Sequence, residues 1–371
     1  MKELAEIVRC YENQTALGKG CVLATVVRVE GSSYRRPGAK MLVLPDGSIT
    51  GAISGGCLEG DALKKAMLTL SERSSRIVTY DTRDEEDTGI QLGCEGVIDV
   101  LFEYIDVRDP QNPVELIKRA IAKRQTSVLV TLCNADHKKS HQVGTCFLLE
   151  QSGEKFFSQK AAEILILFEK EADKVGITGR SSYHTFEYKE GYLNAFIQYI
   201  DPPVSLIIVG AGNDAIPIVR MAEMLGWEVT LADGRKTPSR MEKIAQSCQV
   251  FICKPEILIQ QLQIDHKTCV VLLTHNYQYD KQMLRLLLQT DVPYIGMLGP
   301  RKKLEKILND FQNEGMVVSD EMLSRIFGPT GLDIGAETPE EIAISILAEI
   351  QAVFAGRSGT MLKFKTKEIH E

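Results

Sequence analysis

The sequence predicts an α/β protein in two parts: an N-terminal α/β region of two degenerate copies of one unit, then a doubly wound parallel sheet. Three observations carry this expectation. "VLATVV" (22–27) and "GAKMLVLPDG" (38–47) return as "VLVTLC" (128–133) and "GTCFLLEQSG" (144–153), both at an offset of 106 residues. A constant offset through strand, glycine and turn marks an internal repeat. "IDPPVS" (200–205) then breaks the chain, because paired prolines neither continue a helix nor join a central strand. Beyond it, the apolar run "SLIIVGAG" leads into a helical stretch and a second strand, the order of a nucleotide-binding βαβ unit.

Within the first copy, Leu4, Ile7, Val8 and Tyr11 form a helical stripe over residues 3–17. "GCVLATVVRVEG" reads as a strand and "KMLVLPDGSITGAI" as a hairpin turning at Asp46-Gly47. "DALKKAMLTLSE" reads as a helix with Leu63, Met67 and Leu70 on one face, and "RIVTY" and "GVIDVLFEY" as closing strands around the acidic loop 81–89. "PVELIKRAIAKR" opens the second copy as a helix. After the break, "SLIIV" and "WEVTLAD" flank Gly210-Ala211-Gly212, with Ala215 in place of a third glycine. "QVFIC", "TCVVLLTH" and "VPYIGML" read as further buried parallel strands, alternating with helices at 238–247, 278–289 and 301–313. In "GLDIGAETPEEIAISILAEI", Thr338, Pro339 and Glu341 spell a helix cap, followed by the apolar stripe Ile342, Ile346 and Ile350. The expected boundaries are 1–107, 108–200, 204–356 and a tail at 357–371.

Composition narrows the function classes. Hydrophobic residues make up 44% and charged residues 25% of the 371, a globular profile too long for one ordinary core. A formal net charge of −7 argues against non-specific nucleic-acid binding. No apolar run reaches the ~18 residues of a membrane span, and the first residues lack a signal core. Nine cysteines without a CxxC pair read as reduced thiols of a cytoplasmic protein. Cys21, Cys133, Cys146 and Cys269 lie in apolar runs and read as core.

Two cysteines stand apart: Cys57 in "SGGCLEG" and Cys94 in "LGCEG" lie among glycines beside glutamates. Where the first copy has "SGGCLEG", the second has "KAAEILI", and where the first has "GSSYRRPG", the second has "ADHKKSHQVG". Features confined to one copy are the better functional candidates. Cys57 follows Gly55 and Gly56 just before a predicted helix, where free N–H groups favour a thiolate; Glu59 and Asp61 oppose it. Cys57 and Glu59 are the catalytic candidates, for sulfur transfer, metal ligation or nucleophilic attack. Ser32, Ser33, Arg35, Arg36 and Lys40 form a basic loop and its following strand, suited to an anion; the alternative is a solvated loop paired with the acidic one.

In the C-terminal part, Gly210 permits the tight turn, Gly212 the approach of a phosphate, and Asp233 the recognition of a ribose. Asn213, Thr274, His275, Asn276, Gly299 and Arg301 fall at C-terminal strand ends around one crevice. This is a Rossmann-like domain, and it leaves open NAD(P), another nucleotide, or a relic fold without a ligand. No convincing proton-donor pair supports the alternative of an NAD(P)-dependent oxidoreductase.

"GSSYRRPGAKMLV", "GAISGGCLEGD", "YDTRDEEDTGIQLGCEGVIDVL", "VGAGNDAIPI", "THNYQYD", "YIGMLGPRKK" and "GLDIGAETPEEIAISILAEI" together resemble the xanthine dehydrogenase accessory family (XdhC/CoxI), in one order over about 22–105 and 204–352. The resemblance implies a maturation factor for a molybdenum hydroxylase, more a chaperone than a free-standing enzyme. Such a factor binds the molybdenum cofactor, assists exchange of an oxo for a sulfido ligand, and delivers the product to the apo-enzyme. A sulfurtransferase partner and a homodimer follow from the same likeness. The chain departs from the family pattern at Tyr34, where proline is common, and at Asn213, where histidine is common.

Overall fold

The computed structural model describes residues 1–81, 96–134, 142–189, 191–234 and 248–366. They divide into two compact units, Met1–Pro202 and Pro203–Glu371.

The first unit opens with helix α1 (Lys2–Ala16), which buries Leu4, Ile7, Val8 and Tyr11, the stripe its spacing predicts. Strands β1 (Cys21–Gly31), β2 (Lys40–Val43) and β3 (Ile49–Gly51), helix α2 (Glu59–Glu72), and strands β4 (Arg76–Asp81) and β5 (Gly96–Ile105) follow. The strands form an antiparallel sheet in the order β3-β2-β1-β5-β4. The second copy repeats it: α3 (Pro113–Ala122), β6 (Ser127–Cys133), β7 (Gly144–Glu150), β8 (Lys155–Phe157), α4 (Gln159–Ala162), α5 (Leu165–Thr178), β9 (Ser182–Tyr188) and β10 (Gly191–Ile200). Its sheet order is β8-β7-β6-β10-β9. Ile49 and Lys155, Glu59 and Leu165, and Arg76 and Ser182 open equivalent elements, each pair 106 residues apart.

The two copies lie in one compact unit, where Leu23 and Leu42 share a core with Leu129 and Leu148, around α1 and α3. The face of α2 that is fully buried is Ala62, Ala66 and Thr69, with Leu63, Met67 and Leu70 only partly buried; small residues let the helix lie close to the sheet. Lys40 does not join the basic loop. Paired with Thr25 across β1 and β2, it is fully buried in the seam between the copies, its Nζ donating to Gln198 Oε1 at 3.0 Å. Nearby Glu103 is also buried and accepts from Thr145 N–H at 2.6 Å and Thr145 Oγ1 at 2.9 Å. Burial drives the Lys40 ammonium down to about 8 against the pull of the Glu103 and Glu3 carboxylates. Burial pushes the Glu103 carboxyl above its ordinary value, opposed by the Thr145 bonds and Lys40.

The second unit contains β11 (Ser205–Val209), α6 (Ala215–Met224), β12 (Glu228–Asp233), β13 (Gln249–Ile252), α7 (Pro255–Gln261), β14 (Thr268–Leu272) and α8 (Tyr277–Leu287). It continues with β15 (Tyr294–Met297), α9 (Arg301–Asn313), α10 (Asp320–Ser324), β16 (Ile326–Phe327) and α11 (Pro339–Phe354). All strands run parallel, in the order β13-β12-β11-β14-β15-β16. The chain therefore reverses its winding between β11 and β14, and a crevice opens there at the strand ends. Strand β13 lies at the sheet edge and is partly exposed, not buried as its apolar run suggests. Thr338 and Glu341 close the reciprocal cap of α11, with Pro339 in its first turn. The expected helix at 238–247 lies outside the described residues. Of the expected tail, residues 357–366 are described, and Gly359 lies against Leu332. Among the described residues, no helix is long and apolar enough to cross a membrane.

Candidate functional site: an exposed thiol turn and a glycine crevice

In the first unit, the stretch from Ser54 to Glu59 folds around one hydroxyl. Ser54, almost fully buried, accepts on its Oγ from Gly56 N–H at 3.2 Å and Leu58 N–H at 3.1 Å. Its own O–H donates to Glu59 Oε2, and its N–H to Glu59 Oε1 at 2.8 Å. Gly56 holds φ at +111°, a backbone only glycine adopts freely, and a Cβ there would meet nothing within 4 Å. Leu58 turns into the core while Gly55, Gly56 and Cys57 stay exposed. Cys57 Sγ lies 3.5 Å from Ser54 Oγ. Glu59 was expected to act chemically. Burial raises its carboxyl, but the Ser54 O–H and N–H bonds outweigh it and hold Glu59 below the usual carboxylate range. Both its oxygens are committed to the turn, so Glu59 is a brace. Asp61 accepts from Tyr80 O–H at 3.0 Å.

Among the described residues Cys57 is the exposed cysteine. Cys21 and Cys133 are sealed in the core, where burial pushes both thiols up to about 12, so neither ionises near neutrality. Cys94 and the acidic loop from 82 to 89 lie outside the described residues.

The basic loop meets this turn through a ring. A Cβ on Gly55 would lie 3.3 Å from Cγ of Tyr34, so the Tyr34 ring stands over the glycine. One residue that departs from the family pattern thus packs on the cysteine turn. The loop's cations do not converge as expected. Arg35 Nη2 is paired with Glu3 Oε2 of α1 at 2.5 Å, Lys40 is in the seam, and Ser33 Oγ donates to the Arg35 carbonyl at 3.0 Å, fixing the loop. Ser32 and Arg36 are exposed.

In the second unit, Gly210 has φ +122° and its missing Cβ would lie 2.6 Å from the Leu273 carbonyl, so the residue is fixed by packing between β11 and β14. Gly212 faces open space within 4 Å, the free approach a phosphate needs at the start of α6. Asn213 is exposed beside it. Asp233 is corrected: it is 2% exposed, and its Oδ2 accepts from Ala211 N–H at 2.8 Å. It braces the glycine turn from below instead of presenting a carboxylate to a ribose.

The loop after β14 is likewise built inward at two of its three candidate positions. Thr274 is buried and donates to Asp280 Oδ1 at 2.7 Å. Asn276 caps α8, its Oδ1 accepting from Gln278 N–H at 3.1 Å and Tyr279 N–H at 3.2 Å. His275 between them is turned out, at φ +55° with its side chain 68% exposed, and its Nε2 lies 3.3 Å from Asp214 Oδ2. That contact ties the loops after β11 and β14 across the point where the winding reverses. Arg301 is 81% exposed and its Nε donates to Glu305 Oε1 at 3.1 Å. Sequence reasoning missed the polar support beneath: fully buried Asp280 receives Lys303 Nζ at 2.6 Å, and Lys303 lies against Gly299. The signal was available as Asp280 four residues after Asn276 and Lys303 in "GPRKK", but neither position has a motif of its own.

Among the described residues, no three His, Cys, Asp or Glu side chains gather as a metal site. A metal centre meeting Cys57 would therefore bring its own further ligands. Of the cations expected to hold an anion, Arg35 pairs with Glu3 and Lys40 is buried, while Arg36 is exposed.

Fold and turn together define a class: a duplicated α/β unit carrying one solvent-facing thiol, joined to a Rossmann domain. The chain belongs to the XdhC and CoxI family. The model of that family matches residues 15–81, and the model of the XdhC Rossmann domain matches 206–350. The chain is 31% identical over 333 residues to a probable xanthine dehydrogenase component of Bacillus subtilis, covering 89% of this chain and 92% of that one. It is 24% identical over 336 residues to the "Molybdenum cofactor insertion chaperone PaoD" of Escherichia coli, covering 91% and 84%. A crystal structure of a xanthine dehydrogenase from Bacillus halodurans superposes with a TM-score of 0.75 at 27% identity, over 98% of this chain and 99% of that one. Residues 82–205, most of them the second copy, lie outside both family models.

Proposed function

We propose that this protein is an accessory factor for a molybdenum hydroxylase, taking up the molybdenum cofactor as cargo at the Cys57 turn and handing it to the apo-enzyme. The observation that carries this reading is the exposed Cys57, held on a turn that Ser54 and Glu59 brace and the second copy lacks. The names of the relatives point the same way. The cargo supplies a soft metal already chelated by its own dithiolene, so the chain need add only one sulfur. Cys57 offers that sulfur from a turn that Ser54 and Glu59 hold, with open space beside Gly56. Tyr34 contributes an exposed aromatic edge next to the same glycines. Assistance to sulfido exchange belongs to the same reading, with a sulfurtransferase as the partner that supplies sulfur.

The open face of Gly212 supports a nucleotide on the second unit. The burial of Asp233, whose Oδ2 accepts from Ala211 N–H, disfavours the oxidoreductase alternative. The test is transfer: the purified chain, loaded anaerobically with molybdenum cofactor, is mixed with an apo molybdenum hydroxylase. Enzyme activity is expected to appear in proportion to loaded chain, faster than with equal free cofactor. Equal rates from free and chain-bound cofactor would refute the reading.

A further inference from the structure

We propose that the N-terminal unit carries a second ligand site, remote from Cys57, that takes a phosphate monoester. A cavity of about 470 Å³ opens where Lys19, Arg73 and Arg108 converge with Tyr104 and Asp106. Cys57 precedes α2 and Arg73 caps its far end, so the 14-residue helix separates them by about 20 Å. Arg108 takes both oxygens of Asp106, Nε donating to Oδ1 at 3.0 Å and Nη2 to Oδ2 at 2.8 Å. Lys19 and Arg73 act on Asp46 and Asp106 only through the longer-range field. Three cations thus line the cavity with Asp106, which Arg108 already satisfies, while Lys19 also lies in the field of Asp46, in a chain of net charge −7. An anion with several acceptor oxygens fits that field.

The repeat provides an internal control. Arg73 ends α2 in the left-handed region at φ 50°, and the residue 106 positions later, Gly179, ends α5 there at φ 65°. Glycine is the residue this backbone favours, and arginine carries a steric penalty in it. The strand beneath is equivalent in the two copies: Tyr104 pairs with Val22 as Tyr199 pairs with Val128. The second copy also fills the place of Lys19 differently. Its counterpart Gln125 donates to Glu150 at 2.6 Å, and Lys123 pairs with the same carboxylate at 2.9 Å. The fold therefore needs neither cation, and the first copy keeps both at the cavity despite the cost of Arg73. A second cavity of about 490 Å³ shares Arg73, Tyr104 and Asp106 and extends to Ser75, Gln111 and Gln142, with Glu103 and Asp109 also in its lining. The basic end suits a phosphate, and the polar end suits the sugar or heterocycle esterified to it.

Two substitutions test the site independently of the cofactor reading. Arg73→Gly installs the residue of the second copy and is expected to fold at least as well. Calorimetric titration of the full chain with GMP is expected to give a Kd below about 1 mM. Arg73→Gly should weaken it at least about tenfold while raising Tm by roughly 2 °C, because glycine relieves the left-handed strain. Lys19→Gln should weaken it similarly without that rise. No measurable heat with GMP, or equal affinity in Arg73→Gly, would overturn the site. Inorganic phosphate bound as tightly as GMP would overturn the ester assignment.

Discussion

Cys57→Ala is expected to lower the activity of a co-expressed molybdenum hydroxylase at least about tenfold, the scale of losing one group at a metal-handling centre, with no change in the amount of either protein. The exposed sulfur makes no packing contribution that alanine would forfeit, so stability should stay within about 0.5 kcal/mol. That separation of activity from abundance identifies a chemical role. Ser54→Ala is the companion variant. It removes the acceptor of the Gly56 and Leu58 N–H groups and the donor to Glu59, costing about 1–2 kcal/mol and loosening the sulfur without deleting it. Its activity should fall between wild type and Cys57→Ala. Molybdenum hydroxylase assays on extracts, with immunoblots of both proteins, read these outcomes. Full client activity with Cys57→Ala would remove the thiol from the account.

The largest effect on stability is expected at Lys40. Lys40→Met deletes a fully buried ammonium and leaves Gln198 Oε1 and the Glu103 carboxyl without it. Breaking one member of a buried polar network costs about 3 kcal/mol or more, enough to lower Tm by roughly 6–10 °C. The pH dependence gives a second reading. In the folded chain Lys40 releases its proton at about 8, well below the ordinary lysine value of 10.5. Between those values the unfolded chain binds more protons, so the Lys40 contribution makes wild-type stability rise with pH. Glu103 acts in acid with the other sign: its folded value is raised, so the stability from its protonated form is present at low pH and lost as pH climbs through that value. Thermal unfolding from pH 7 to 10 should show the alkaline gain in wild type and a flatter profile in Lys40→Met. Parallel profiles would show that Lys40 is not the titrating group.

Much of the fold was legible because it rests on local pattern. The stripe of α1, the offset of 106 through both copies, the parallel strands after the proline pair and the cap at Thr338 each follow from spacing alone. What escaped depends on which way a side chain turns. Lys40 reads as part of a basic loop, yet strand pairing with Thr25 sends it into a seam formed by residues about 160 positions away in sequence, as Gln198 is. Glu59 reads as an acid beside a cysteine, and only the fold reveals that Ser54 holds both its oxygens. Asp233 sits at the fingerprint distance from Gly212, but its carboxylate points down onto Ala211. On α2 the spacing shows Leu63, Met67 and Leu70, which do pack on the core, but not that Ala62 and Ala66 beside them are the fully buried positions. At the thiol turn itself, the contrast between the two copies was the informative signal, since both copies share the scaffold and one alone keeps the cysteine.

The central claim is that Cys57 meets the cargo directly. Anaerobic incubation of the purified chain with molybdenum cofactor, followed by gel filtration and quantification of molybdenum and pterin in the protein fraction, tests it with no client enzyme involved. Wild type is expected to retain both in equal amounts, and Cys57→Ala to retain at least about tenfold less of each under the same conditions. Equal retention by the two proteins would contradict the account.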